Sequence, residues 1–174
     1  MALHLRGIDR TSDWRLWRNA GVLAVVAVLA APDAQAAPKS AWHSSCRDLA
    51  SERICVVSQS LHDREGRAVA RLRLQPQGAS GVMQLLLPMG VHLGSGVFYA
   101  LDGGEEYALR YQRCQDARCE ASAVIAKPRW QALVKARDID LIYRPDAGSP
   151  PRRLRLALQG LDAALQDLNQ EAAP

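Results

Sequence analysis

The residues of this 174-residue chain best equipped for chemistry are four cysteines, Cys46, Cys55, Cys114 and Cys119. Thiols bind metals, act as nucleophiles or oxidise to disulfides. Metal binding is disfavoured because the C-x8-C and C-x4-C spacings match no common zinc pattern, and His43, His62 and His92 each lack a second histidine three or four residues away. An even number of cysteines instead favours two disulfides. Loop-closure entropy does not select local pairs: it is worth about 4.4 kcal/mol for Cys46 with Cys114, against about 2.7 for Cys46 with Cys55 and about 2.2 for Cys114 with Cys119. Geometry does. In "YALRYQRCQDARCEASAVIA" the residues Gln115 to Arg118 separate two strand-like runs, so Cys114 and Cys119 fall at facing strand ends. Cys46 with Cys55 follows by exclusion.

Other reactive groups lack company. Ser44, Ser45, Ser58, Ser60 and Ser80 have no G-x-S-x-G setting, and His62 and His92 read as exposed loop residues. Asp102, Glu105 and Glu106 could hold a cation, but Gly103 and Gly104 make a hairpin turn the simpler reading. The stretch "LLLPMGVHLGSGV", Leu85 to Val97, has the glycines of a phosphate cradle without the Lys-Ser or Lys-Thr pair, or the helix, that a cradle needs. No catalytic residues, no metal and no cofactor are therefore expected. The remaining handle is cationic: Arg71, Arg73, Arg110, Arg153 and Arg155 all fall on the polar side of alternating runs. On neighbouring strands they would form a stripe able to grip phosphate or carboxylate groups of an anionic envelope component or an acidic protein partner.

These groups must be carried by strands. "RAVARLRLQ" sets Ala68, Ala70, Leu72 and Leu74 against Arg67, Arg71 and Arg73, the period of a half-buried strand. "YALRYQR" sets Tyr107, Leu109 and Tyr111 against Arg110 and Gln112, "DIDLIYR" aligns Ile139, Leu141 and Tyr143, and "RRLRLALQ" alternates Leu154, Leu156 and Leu158 with Arg153 and Arg155. "VMQLLL" is apolar on both faces, as for a strand covered on both sides. Pro88 ends it for want of an amide, and Gly90, Gly94 and Gly96 let the chain turn through positive φ or close backbone approach before "VFYALD". Two segments break the period: "PRWQALVKA", with proline suited to a first helical turn, and "LDAALQDLNQ", with Leu161, Leu165 and Leu168 as a helical stripe. The expected fold is all-β, an antiparallel β-sandwich or flattened barrel with one or two short helices, one of them C-terminal.

The first 36 residues read as a signal peptide: Arg6, Arg10, Arg15 and Arg18, then the apolar run Ala20 to Ala31, then an A-x-A site at Ala34 and Ala36. Cleavage is expected after Ala36, leaving residues 37–174 as one domain. The competing reading is an uncleaved anchor, with Trp14 and Trp17 at the membrane interface, which would be the chain's sole membrane association. The segment after Ala36 keeps 18 basic and 15 acidic residues, too small an excess to argue for nucleic acid. Export to the periplasm or beyond agrees with disulfide formation.

With these blocks in order, the sequence resembles the invasion-associated locus B family of Gram-negative bacteria. The resemblance rests on Trp42, Cys46, "CVVSQ" at Cys55 to Gln59, "LPMGVHLGSGV" at Leu87 to Val97, "YQRCQDARCEA" at Tyr111 to Ala121 and "LQGLDAAL" at Leu158 to Leu165. It implies an exported, disulfide-bonded β protein linked in some pathogenic members to host-cell invasion, acting as a binding module without catalysis. The alternative is a periplasmic enzyme or an accessory protein of lipid or polysaccharide processing. Three positions depart from the family pattern: Met89 for leucine, Leu161 for an aromatic and Arg118 for a glycine before the last cysteine. The glycine suggests positive φ, so Arg118 is expected to be strained.

Overall fold

The computed structural model describes residues 41–50 and 52–172; the expected leader over residues 1–36 and its cleavage after Ala36 lie outside them. The strands are β1 (His43–Leu49), β2 (Glu52–His62), β3 (Ala68–Gln77), β4 (Ser80–Pro88), β5 (Val97–Leu101), β6 (Glu106–Gln115), β7 (Arg118–Ile125), β8 (Asp138–Tyr143) and β9 (Arg152–Ala157). Helix α1 (Lys127–Lys135) joins β7 to β8, and α2 (Leu161–Ala172) follows β9. All strands pair antiparallel in one sheet ordered β1-β2-β3-β4-β7-β6-β5-β8-β9, curled into a half-barrel. The expected all-β fold with a C-terminal helix is the fold observed, built from one curled sheet.

Period-two alternation explains which face is buried. Leu72 and Leu74 of β3, Met83, Leu85 and Leu87 of β4 and Ala121 of β7 point inward and are almost fully inaccessible. Fully burying one such leucine contributes about 2 kcal/mol. Trp130 and Leu133 of α1 and Leu161, Leu165 and Leu168 of α2 join the same core, so the helices cover the inner face. Gly81 makes room for α1: a Cβ there would collide with the Trp130 indole.

The reading of "VMQLLL" as covered on both sides needs correction. Strand β4 alternates strictly, with Val82, Gln84 and Leu86 only half-buried on the outer face. The strand buried on both faces is β8, where Asp140 and Ile142 are inaccessible as well as Ile139 and Leu141. Arg153 and Arg155 of β9 lie across Asp140 on the outer side of β8, whereas the outer residues of β4 stay half-exposed.

Pro88 is the last residue of β4, and from it the chain crosses the open ends of β7 and β6 to reach β5. The Met89 amide donates to the Ala117 carbonyl, Gly90 adopts φ +91°, and the His92 amide donates to the Arg144 carbonyl. A single 3-10 turn, Leu93–Ser95, precedes Gly96 at φ +72°. Gly94 does not use positive φ; its place is tight because the His92 ring lies 3.2 Å from where a Cβ would be.

Candidate functional site

The two disulfides are cross-strand staples. Cys46 and Cys55 are direct partners in the β1–β2 register and Cys114 and Cys119 in the β6–β7 register, each pair with Cα atoms 4.0 Å apart and bonded through sulfur. The β6–β7 turn corrects the expectation for Arg118. Gln115 and Arg118 pair as strand residues, and the positive φ values fall on Asp116 (50°) and Ala117 (62°), the signature of a two-residue primed hairpin turn. Asp116 tolerates that conformation well; Ala117, not Arg118, carries the strain.

The five-arginine stripe does not form, because β3, β6 and β9 are not neighbours. Arg153 and Arg155, on edge strand β9, turn instead to Asp140. Arg155 Nε donates to Asp140 Oδ1 at 2.9 Å, and Arg153 bridges Asp140 Oδ2 at 3.2 Å and Glu106 Oε1 at 2.6 Å. Asp140 is 2% exposed. The Arg155 hydrogen bond holds its carboxyl below the ordinary range, burial opposes this, and Arg153 adds to the lowering. These two arginines are occupied by a structural network that also charges an exposed sheet edge.

The other three arginines are brought together with two more. Following partners across the outer face gives one row, Ser58, Arg73, Gln84, Ser122 and Arg110, spanning β2, β3, β4, β7 and β6. The adjoining row is Ser60, Arg71, Leu86, Glu120 and Arg113, and beyond it Arg118 pairs with Pro88. At ordinary strand spacing, Arg73 and Arg110 stand about 14 Å apart and the two rows about 7 Å apart. Arg71 Nε donates to Ser60 Oγ at 2.9 Å and Arg113 Nε to Glu120 Oε2 at 3.2 Å. Five guanidinium groups thus share one face with the carboxylates of Glu120 and, at the turn, Asp116. Two shallow depressions, about 170 and 330 Å³, adjoin at Leu86 and Arg118 on this face.

Alternation could not find Arg113, since counting by twos from Arg110 places Arg113 inward with Tyr111. The register shifts between Tyr111 and Arg113, a β-bulge that turns Arg113 outward beside Arg110 while Cys114 returns to the inner face. Nothing in the sequence pattern marks the bulge. Arg118 was hidden by its reading as a turn residue.

The remaining candidates are parts of turns, except His62. Asp102, at φ +49°, accepts the amides of Arg137 and Asp138 on Oδ1, both at 3.0 Å, and so fastens the β5–β6 turn to the start of β8. Glu105 Oε2 accepts the Tyr107 hydroxyl at 2.7 Å, and His92 Nδ1 lies 2.7 Å from Ser95 Oγ within its own loop. His62 ends β2, exposed to solvent. Among the described residues no group of three or more His, Cys, Asp or Glu side chains is arranged to hold a metal ion.

A family model described as invasion associated locus B (IalB) protein matches residues 42–169. No curated protein matches the chain. Among solved structures, the chain is similar to the crystal structure of invasion associated protein B from Bartonella henselae, with a TM-score of 0.67 and 22% identity over 75% of this chain and 92% of that one. At that identity the likeness speaks for the fold.

Proposed function

The chain belongs to the invasion associated locus B family, and from that premise we propose that it is an exported binding module that takes an anionic partner on the outer face of β3, β4, β7 and β6. Export is supported by the two disulfides together with the leader-like composition of residues 1–36. The single observation that carries the binding reading is the gathering of Arg71, Arg73, Arg110, Arg113 and Arg118 on neighbouring strands, outnumbering the carboxylates of Glu120 and Asp116 beside them. Guanidinium groups present paired donors to phosphate and carboxylate oxygens, and a rigid sheet holds them without the entropic loss of ordering a loop. No role in the module requires bond-making, and a link to host-cell invasion would follow from where the partner resides.

The test is titration of the purified, disulfide-intact protein with soluble polyphosphate at graded salt. Affinity is expected to fall steeply with salt, as for any contact made by several cations to a polyanion. Replacing Arg73 and Arg110 by glutamine should weaken binding about tenfold and flatten the salt dependence, and unchanged affinity in that variant overturns the reading. Fractionation should find the protein outside the cytoplasm with Ala37 as its first residue.

A further inference from the structure

The basic face is not purely polar. Val124 of β7 is 73% exposed, the most exposed of the large hydrophobic side chains among the described residues, and its partner across the ladder is the half-buried Val82 of β4. Both lie on the outer face, two residues along their strands from Ser122 and Gln84 of the arginine row. On the other side of that row Leu86 stands half-buried between Arg71 and Glu120. The face therefore alternates apolar, cationic and again apolar side chains over four strands. Among the described residues Val82 is its cross-strand partner, and most of the Val124 side chain remains in solvent.

We infer that this face docks on an anionic lipid surface, one whose headgroup phosphates carry uncompensated negative charge. The inference rests on the basic-face reading and narrows it. An acidic protein segment or a soluble polyanion would satisfy the arginines alone, and Val124 would stay in water. An anionic phospholipid surface satisfies both: guanidinium groups pair with the uncompensated phosphates at the headgroup level, and short apolar side chains between them enter the interface just below. The array is wide enough to meet several headgroups at once, so individually weak contacts add through effective concentration. The two depressions beside the arginines of this face lie open to solvent, which suits a surface and not an enclosed ligand.

The experiment is co-sedimentation of the full, oxidised protein with vesicles of phosphatidylcholine alone and of phosphatidylcholine with one-third phosphatidylglycerol, alongside titration with soluble polyphosphate. Binding should favour the anionic vesicles at least tenfold over the neutral ones and weaken with salt. Val124→Gln should reduce vesicle binding several-fold and Val124→Trp should raise it, both leaving polyphosphate affinity within twofold. Thermal midpoints of both variants establish that they are folded, which the exposure of the site favours. Polyphosphate binding without preference for anionic vesicles, or vesicle binding indifferent to Val124, overturns the lipid inference while leaving the basic-face reading intact. Absence of binding to both probes overturns both.

Discussion

Gly90 isolates one physical effect, since a Cβ there would meet nothing within 4 Å while its backbone sits at φ +91°. Gly90→Ala is therefore expected to cost about 1–2 kcal/mol through backbone strain alone, read as a lower denaturant midpoint, with polyphosphate affinity unchanged. An unchanged midpoint with lost binding would transfer function from the sheet face to this loop. Asp140 gives a second test. Its carboxyl, depressed chiefly by the Arg155 hydrogen bond, contributes stability that is present above the ordinary carboxylate value and is lost as pH falls through the lower folded value. Asp140→Asn should thus cost about 1–2 kcal/mol at pH 7, a figure discounted because both guanidinium groups face water, and the gap to the native protein should shrink as pH falls below about 4. A gap that stays constant from pH 7 to pH 2 would contradict this account of Asp140.

At the scale of elements, the β6–β7 hairpin invites improvement. Ala117 occupies a left-handed conformation that glycine adopts freely, so Ala117→Gly is expected to raise stability by about 0.5–1 kcal/mol, the relief of strain exceeding the added freedom of the unfolded chain. A loss of stability in differential scanning calorimetry would refute the turn assignment. The strands from β3 onward and both helices were legible because alternation and the Leu161, Leu165, Leu168 stripe report local burial directly, whereas β1 and β2, without such alternation, were not read as strands. What escaped reading depended on neighbours. β4 carries apolar residues on its outer face that stay half-exposed, and β8 hides Asp140 under arginines from β9, so composition alone reversed which strand is buried twice. The stripe was half legible for the same reason: outward direction follows from alternation, whereas strand order and the bulge before Arg113 arise from pairing between segments far apart in sequence.

At the scale of the whole molecule, the half-barrel divides labour between its two outer halves. On the β8–β9 side the arginines are bound to Asp140 and Glu106 within the fold, and on the β3-β4-β7-β6 side they are mostly left for something else. A small overall positive excess would draw polyanions weakly and without regard to face. The account instead requires position to matter more than total charge. The most direct measurement compares polyphosphate affinity, at one fixed salt concentration, for two variants of equal net charge: Arg73→Gln with Arg110→Gln, and Arg47→Gln with Arg152→Gln, the latter pair exposed on the edge strands β1 and β9. The first is predicted to lose about tenfold in affinity and the second less than twofold. Equal losses in the two variants would contradict the claim that this sheet face is the binding site.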